Sequence, residues 1–496
     1  MEASYLFSGV EWLRLYTAVP ICNYMQMKNT NESGSASTAE VARRAGIHRD
    51  TLLRWLRRGL VQEPDRDRHG WRHFSEAQAN AVISYAKSST DPSPETLESR
   101  EPPRYMQALN DIDWDFRDAK TNYLTHRIHP YPAKFIPQIP NALIQELSSV
   151  GDTVGDIFCG SGTTLVEALT LKRHAVGIDA NPLACLIANT KTGVINEADS
   201  EALQTLVIRS RQFSDSIQAG STDDLLQTEH FVSKAWRPDF AKLRFWFEDH
   251  VIEELAEALN WCRSLPTEAA RTLALTSFSS IVVAVSRQDS DTRYVRRDKN
   301  IPQGETLRRF ARTVEQATQA AQEFSDIVEP RFRRHIIEAN LLDAPSVPMM
   351  DLVVCSPPYP NAYSYHLYHM TRMIWLGMDQ PKFKRDEIGS HRKYSSPGKN
   401  AATAATFRSE FTSILHWLSK NLKRGGHACF VVGNSTLKGE TLDNAAIISA
   451  SGELAGFRET MRIDRTMQAT KKAFNPVIGK IKQEQILVLE QTRDIR

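Results

Sequence analysis

The residues of this chain best suited to chemistry stand in one short run, Ser356-Pro357-Pro358-Tyr359, at the end of the apolar stretch Asp351–Cys355. Two prolines fix the backbone and remove two N–H donors, so the Pro357 carbonyl is not committed to a sheet ladder. It can accept a hydrogen bond, and the Ser356 hydroxyl can accept another. An amine held by two such acceptors is drawn toward tetrahedral geometry, which frees its lone pair for in-line attack on an electrophilic carbon. Tyr359 offers a face on which a flat ring can stack. The downstream Tyr363, Tyr365 and Tyr368 suit either a pocket for that ring or plain helix packing. A stiffened loop uses the same letters, so the run needs companions before it means chemistry.

Those companions lie upstream. Asp156-Ile157-Phe158-Cys159-Gly160-Ser161-Gly162-Thr163-Thr164 joins an apolar strand to a helical pattern. Gly160 and Gly162 allow a tight bend and close backbone approach to a ligand. The following helix start offers free N–H groups. No Lys-Ser or Lys-Thr pair follows the glycines, which excludes a P-loop. Asp179 closes the next strand, about 20 residues on, where an open α/β sheet places the acid that holds ribose hydroxyls. Before the turn, His129-Pro130-Tyr131-Pro132-Ala133-Lys134-Phe135-Ile136-Pro137 is a rigid, aromatic-bearing connector.

Strands must carry these loops. VGDIF (154–158), HAVGID (174–179), HIIEAN (335–340), DLVVCS (351–356) and HACFVVGN (427–434) read as strands separated by helical patterns, and GFRETMRID with EQILVLEQ as a closing hairpin. That alternation predicts a parallel, doubly wound sheet. The chain has 496 residues, too many for one ordinary core. Composition divides it into a segment 1–37 with no assigned role, a basic domain 38–88, a Ser/Pro/acid-rich linker 89–104, a first core half 105–197, a helical insertion 198–333 and a second core half 334–496.

The motifs together resemble the DNA amino-methyltransferases among the class I S-adenosylmethionine-dependent enzymes. DIFCGSGTT is similar to that family's first motif, usually DPFxGSGTT, with Ile157 in place of its proline. The resemblance implies a Rossmann-like sheet and an adenosyl cofactor touched by Tyr131, Phe135, Asp156, Phe158, Gly160, Ser161, Gly162, Thr163 and Asp179. Tyr131 and Phe135 would lie against its methionine end. Asp343 stands where the family meets the adenine amino group; a turn-forming Asp reads equally well there. SPPY resembles the (D/N/S)PPY catalytic motif, with Ser356, Pro357, Pro358 and Tyr359 in the catalytic roles. The serine is commoner among cytosine-N4 enzymes, which makes cytosine N4 the expected acceptor and adenine N6 the runner-up. The motif order resembles the α group, whose target-recognition domain occupies the interval filled here by 198–333.

In the basic domain, Val41, Ala45, Ile47, Leu52, Leu53, Leu56 and Leu60 suit two short amphipathic helices turning at Gly46. Arg54, Arg57 and Arg58 lie on the second, RDRHGWRHF suits a small β-wing, and Ser75 caps a third helix. The arrangement resembles a MerR-type winged helix-turn-helix and implies contact with double-stranded DNA. The insertion carries a second basic cluster, with Arg287, Arg293, Arg296, Arg297 and Lys299 suited to phosphates. The basic stretch 382–399 is an alternative contact loop. A DNA-binding regulator that uses the α/β part as a sensor is the competing reading, and RNA is disfavoured because its duplex hides the major groove.

Net charge is only +2, so any polyanion site must come from local clustering. The six cysteines are scattered, which argues against zinc and disulfides and for a reduced, cytoplasmic setting. Cys355 precedes the serine and reads as buried, and no Pro-Cys pair supports cytosine-C5 chemistry. His366 and His369 lack a carboxylate partner in sequence, so no metal is expected. No apolar run reaches the ~20 residues of a membrane span. A restriction or defence partner would fit the resemblance; oligomeric state is not legible.

Overall fold

The computed structural model describes residues 35–47, 49–57, 60–66, 72–88, 103–223, 231–360, 363–395, 402–466 and 483–492. The chain divides into two compact units, residues 1–101 and 102–496.

In the first unit, helices Thr38–Ala45 and Arg49–Arg57 stand between the first strand, Ser35–Ser37, and the other two strands of a three-stranded antiparallel sheet, and the helix Glu76–Ser88 follows. The first helix starts on the Ser37 hydroxyl, which accepts from the Glu40 N–H, and stops at Gly46, whose φ of 68° is left-handed. Strand Arg72–Ser75 pairs with both Ser35–Ser37 and Asp65–Arg66. Ser75 caps the third helix: its hydroxyl accepts from Gln78 N–H while Gln78 accepts from Ser75 N–H. The core holds Val41, Leu52, Trp55, Leu56, Phe74 and Val82. Leu60, expected inside, is 43% exposed, and Trp55 packed edge-on to Tyr85 fills the interior instead. The Arg54 and Arg57 side chains and all of Arg58 lie outside the described residues.

The second unit is built on a seven-stranded sheet. Its strands are β1 Thr153–Asp156, β2 His174–Asp179, β3 Arg334–Glu338, β4 Met350–Cys355, β5 Leu422–Gly433, β6 Phe457–Thr466 and β7 Gln483–Gln491. The order is β6-β7-β5-β4-β1-β2-β3. Strands β1 to β5 run parallel, and β7 is antiparallel to both β5 and β6. The chain winds outward from β1 through β2 to β3, then returns to place β4 on the other side of β1. This is a Rossmann-like α/β sheet with its switch point between β1 and β4, where such folds open a crevice.

Both sheet faces are covered. In β5, Cys429 and Val431 point to one layer, with helices α1 Gln138–Leu147 and α2 Thr163–Thr170; Ala428, Phe430 and Val432 point to the other. That second layer contains α8 Ala404–Asn421 and α9 Asn444–Ala455, counted after the helices of the insertion. The period of two with both faces apolar explains why these strands read as unbroken apolar runs. Truncating Phe430, which is 0% exposed, to alanine would cost about 3–5 kcal/mol.

Between α3 (Pro182–Lys191) and β3 the insertion supplies α4 Glu197–Asp223, α5 Asp249–Arg263, α6 Glu268–Val285 and α7 Glu305–Ser325. Helix α6, 18 residues long, is apolar enough by composition to cross a membrane, though it falls short of ~20 residues. It is instead a core helix here, with Leu273, Phe278, Ile281 and Val282 buried among residues of α5 and α7. Between α6 and α7 stands a short hairpin, Gln288–Ser290 paired with Arg293–Arg296.

Candidate active site

The crevice at the switch point encloses about 820 Å³, its mouth included. Three loops meet there. Tyr131, Lys134 and Phe135 come from the proline-rich connector, Phe158, Gly160, Ser161, Thr163 and Asp179 from the ends of β1 and β2, and Ser356 and Pro358 from the end of β4. Residues 200 positions apart in sequence thus share one cavity because β1 and β4 are neighbours.

The glycine turn is tied down by main-chain bonds. Gly162 N–H donates to the Cys159 carbonyl at 2.7 Å, and Cys159 N–H to the Ile178 carbonyl at 2.9 Å. Gly162 has φ 79°, and a Cβ there would stand 3.1 Å from the Ala188 backbone, so a side chain is excluded on both counts. Asp179 locks the turn to β2: one carboxylate oxygen accepts from Gly160 N–H and the other from Asn181 N–H, each at 2.8 Å. Burial pushes Asp179 up to about 6, against those two backbone bonds, and the charge of Glu387 adds to the rise. Each oxygen keeps a lone pair for a ligand hydroxyl.

Asp156 is placed differently from Asp179. It is 1% exposed and does not line the cavity; its carboxylate accepts from Phe158 N–H at 3.1 Å. Burial pushes it up to about 7, opposed by the Thr164 hydroxyl. Thr164 also donates to the Val354 carbonyl at 3.1 Å, so the two loop-bearing strand ends are pinned to each other. Asp343 is exposed on a short 3-10 turn outside the lining; Asn340, three residues earlier, lines the cavity in its stead.

At the turn 356–359, Pro357 is buried beneath the surface that Ser356 and Pro358 present. The Tyr359 ring packs on the core and its hydroxyl donates to the Val431 carbonyl at 3.4 Å. Burial pushes its phenol up. Gly389, at φ 73°, lets a second segment close on this turn: a Cβ there would meet the Tyr359 carbonyl at 2.8 Å. Through that approach Phe383, Asp386, Glu387 and Ile388 become a wall of the cavity. The stretch 382–399, expected to be a basic contact loop, therefore contributes acids and apolar groups to the cleft.

Several residues of the site were not singled out in the sequence. Lys191 is fully buried and donates to the Ser161 hydroxyl at 3.1 Å; burial pushes its ammonium well below the usual lysine range. Glu167, 1% exposed on α2, accepts from Tyr123 and His126 at 2.7 Å and from Asn141 at 2.6 Å, and so fixes the connector beneath the turn. Helix α2 carries the signal, since a glutamate on an otherwise apolar face implies buried partners. His366 and His369 are parted. His366 bonds Glu387, whereas His369 stacks on Tyr131 at 5.0 Å and sits beside Arg372. Tyr363 and Tyr368 pack on each other, and Tyr365 joins Tyr131 in the cavity lining. Cys355 is fully buried.

The Arg-rich hairpin is half structural. Arg287 pairs with Asp298 at 2.9 Å and donates to the Arg244 carbonyl. Lys299 donates to the Val283 carbonyl at 2.7 Å, and burial lowers it to about 8. Arg293 and Arg297 both pair with Asp289, at 3.3 and 3.4 Å, and Arg296 with Asp298 at 2.9 Å. Arg297 is nonetheless 74% exposed. The hairpin is bolted to the helices after the turn 356–359: Asp291 takes the fully buried Arg372, and Gln288 donates to the Tyr368 carbonyl at 3.2 Å.

The chain is similar to known proteins over parts of its length. Residues 62–190 match the family described as DNA methylase, and residues 37–74 the MerR family of regulatory proteins. The chain is similar to the type II methyltransferase M.MvaI of Kocuria varians, 31% identical over 175 residues, covering 34% of this chain and 36% of that protein. It is similar also to the type II methyltransferase M.MjaII of Methanocaldococcus jannaschii, 34% identical over 133 residues, covering 25% of this chain and 24% of that one. The chain thus spans about a quarter to a third of the length of these relatives. Among solved structures, TrmN from Thermus thermophilus aligns over 72% of this chain and 49% of its own at 11% identity, with a TM-score of 0.27. The fold assignment rests on the strand order itself.

Proposed function

We propose that the chain is a site-specific DNA methyltransferase that uses S-adenosylmethionine and acts on the exocyclic N4 amine of cytosine. The observation that carries this reading is the meeting of the glycine turn, Asp179 and Ser356 in one cleft. The similarity to type II methyltransferases supports DNA as the substrate class, and Ser356 in the first position of the turn is what favours cytosine over adenine.

The cleft suits an adenosyl cofactor in its groups. Asp179 offers two anchored acceptors for ribose hydroxyls. Phe158, Ile157 and Leu341 give flat or branched apolar surface for a base, and Tyr131 and Phe135 face the same space from the connector. Gly160, Ser161, Gly162 and Thr163 bring main chain and a helix start to it. The cofactor, when bound, supplies a methyl group on a positively charged sulfur, which needs no further activation.

The chain's own task is to present the amine. Ser356 and the Pro357 carbonyl accept its two N–H groups and orient the lone pair; once the N–C bond has formed and the S–C bond has broken, the extra proton on the methylated amine passes to water. Tyr359, held from below by Val431, would stack on the extruded base. The hairpin arginines Arg293, Arg296 and Arg297, together with Arg54, Arg57 and Arg58 of the first unit, would contact phosphates. Incubation with methyl-labelled cofactor and duplex DNA, followed by nucleoside analysis, tests the reading. Label in N4-methylcytosine is the expected result. Label only in N6-methyladenine would overturn the choice of base, and DNA binding with no label would favour a regulator with a sensor domain.

A further inference from the structure

The cleft wall supplied by residues 383–388 has no counterpart among the motifs, and one of its groups is unusual. Glu387 is 4% exposed yet lines the cavity. Its carboxylate is fixed from behind: one oxygen accepts from Tyr365 N–H and the other from His366 Nδ1, both at 2.5 Å. His366 is itself buried, and among the described residues its Nε2 has no partner, so the ring serves this one bond. Among the described residues, neither lysine nor arginine forms an ion pair with Glu387 or with Asp179. Lys134, the lysine of the lining, is engaged with the His126 carbonyl at 3.0 Å.

A buried carboxylate whose ion-pair partner among the described residues is a histidine, with no lysine or arginine, is costly to keep in a closed wall and gains from a ligand that brings a permanent positive charge. The neighbours point to the sign of that ligand. Tyr131 and Tyr365 lie nearly parallel, 6.0 Å apart, and aromatic faces attract cations. Gly389 sets this wall directly against the Tyr359 carbonyl, and Glu387 lines the cavity that Ser356 and Asp179 also line. We infer that Glu387, positioned by Tyr365 and His366, receives a positive charge of the cofactor's methionine moiety and thereby makes the cleft selective for a cationic ligand. Two groups carry that chemistry, the sulfonium and the α-ammonium. The inference rests on the adenosyl-cofactor reading above.

Calorimetric titration of the full chain with three ligands separates the possibilities. S-adenosylmethionine carries both charges, S-adenosylhomocysteine only the ammonium, and methylthioadenosine neither. With Glu387→Gln, S-adenosylmethionine should bind more weakly by roughly 10- to 100-fold, while methylthioadenosine, which reports an intact cleft, stays within about twofold. A parallel loss for S-adenosylhomocysteine assigns the ammonium; an unchanged value assigns the sulfonium. Glu387→Asp retains the charge and should keep most of the preference for S-adenosylmethionine over methylthioadenosine, which secures the test if the glutamine variant does not fold. Equal affinities in wild type and Glu387→Gln, or equal losses for all three ligands, would overturn the inference. Failure of the wild-type chain to bind any of the three would instead overturn the cofactor reading.

Discussion

The cleft and the Arg-rich hairpin both drew attention as concentrations of chemically active residues, yet they treat their charges in opposite ways. In the cleft, Asp179 and Glu387 are held by backbone N–H groups and a histidine, and their charges face open space. In the hairpin, Asp289 and Asp298 offset the arginines beside them, and Asp291 spends its charge on Arg372 of another element. A site built for a ligand orients charge and leaves it unpaired. A site built for attachment pairs it. If that distinction is right, substitutions in the cleft should change ligand binding or turnover at constant stability, and those at the hairpin base should change stability.

The largest effect is expected at the catalytic turn. Ser356→Ala removes one of two acceptors for the amine and should lower methyl transfer by roughly 10²- to 10³-fold. Cofactor affinity, measured by titration, should move by less than a few-fold, because the glycine turn and Asp179 are untouched. A rate within tenfold of wild type would remove Ser356 from the mechanism and return SPPY to a stiff loop.

Arg372 gives the contrasting case. It is fully buried, donates to the Ser279 carbonyl at 2.9 Å and pairs with Asp291. Arg372→Ala leaves Asp291 without its cation and Ser279 without a donor, and should destabilise the unit by about 3–5 kcal/mol. Chemical denaturation checks this. A variant that unfolds at the wild-type midpoint but no longer binds DNA would mean that the hairpin base is a recognition site, and the contrast drawn above would fail.

The sheet and both of its active loops could be read in advance because each depends on local rules. Apolar runs of the right length, glycines at a turn and prolines after a strand need no knowledge of distant residues. Even the neighbourhood of Gly160 and Ser356 follows once the strand order is assumed. What could not be read depends on tertiary approach. Glu387 sits among Lys382, Lys384, Arg385 and Arg392 in sequence, and these exposed cations hide the acid that the same segment turns inward. Only the contact of Gly389 with the Tyr359 carbonyl turns that segment inward. Asp343 was expected at the adenine end of the cleft from the family resemblance, beside a plain turn role, but the turn after β3 is one 3-10 turn long and Asn340 lines the cavity. The hairpin arginines looked like one cluster because sequence shows neighbours and not pairing.

Acid titration sharpens the comparison from the cleft side. The folded chain holds a proton on Asp179 up to about pH 6, well above the ordinary carboxylate range. The unfolded chain therefore loses that proton first, and stability contributed through Asp179 falls as pH rises toward 6 and is constant above it. Cofactor affinity runs the other way, since the ionised group is the better acceptor of ribose hydroxyls. Affinity should rise by about tenfold between pH 5 and 7, and the rise should vanish in Asp179→Asn. A pH-independent affinity in the wild type would show that Asp179 meets no hydroxyl.

The smallest effect is expected from Arg297→Ala. This side chain is 74% exposed and its bond to Asp289 is long, at 3.4 Å, so its loss should leave stability within about 0.5 kcal/mol. If Arg297 meets a phosphate, DNA affinity should fall a few-fold for every sequence alike, and the slope of log affinity against log salt should shrink by about one. Arg287→Ala is the matched control, because Arg287 is 22% exposed and bonded to Asp298 and to the Arg244 carbonyl. It should lower stability while leaving the salt slope unchanged in protein that remains folded. Equal salt slopes for wild type and Arg297→Ala would mean that the acids have cancelled the hairpin completely, and that phosphate contact must be sought in the first unit instead.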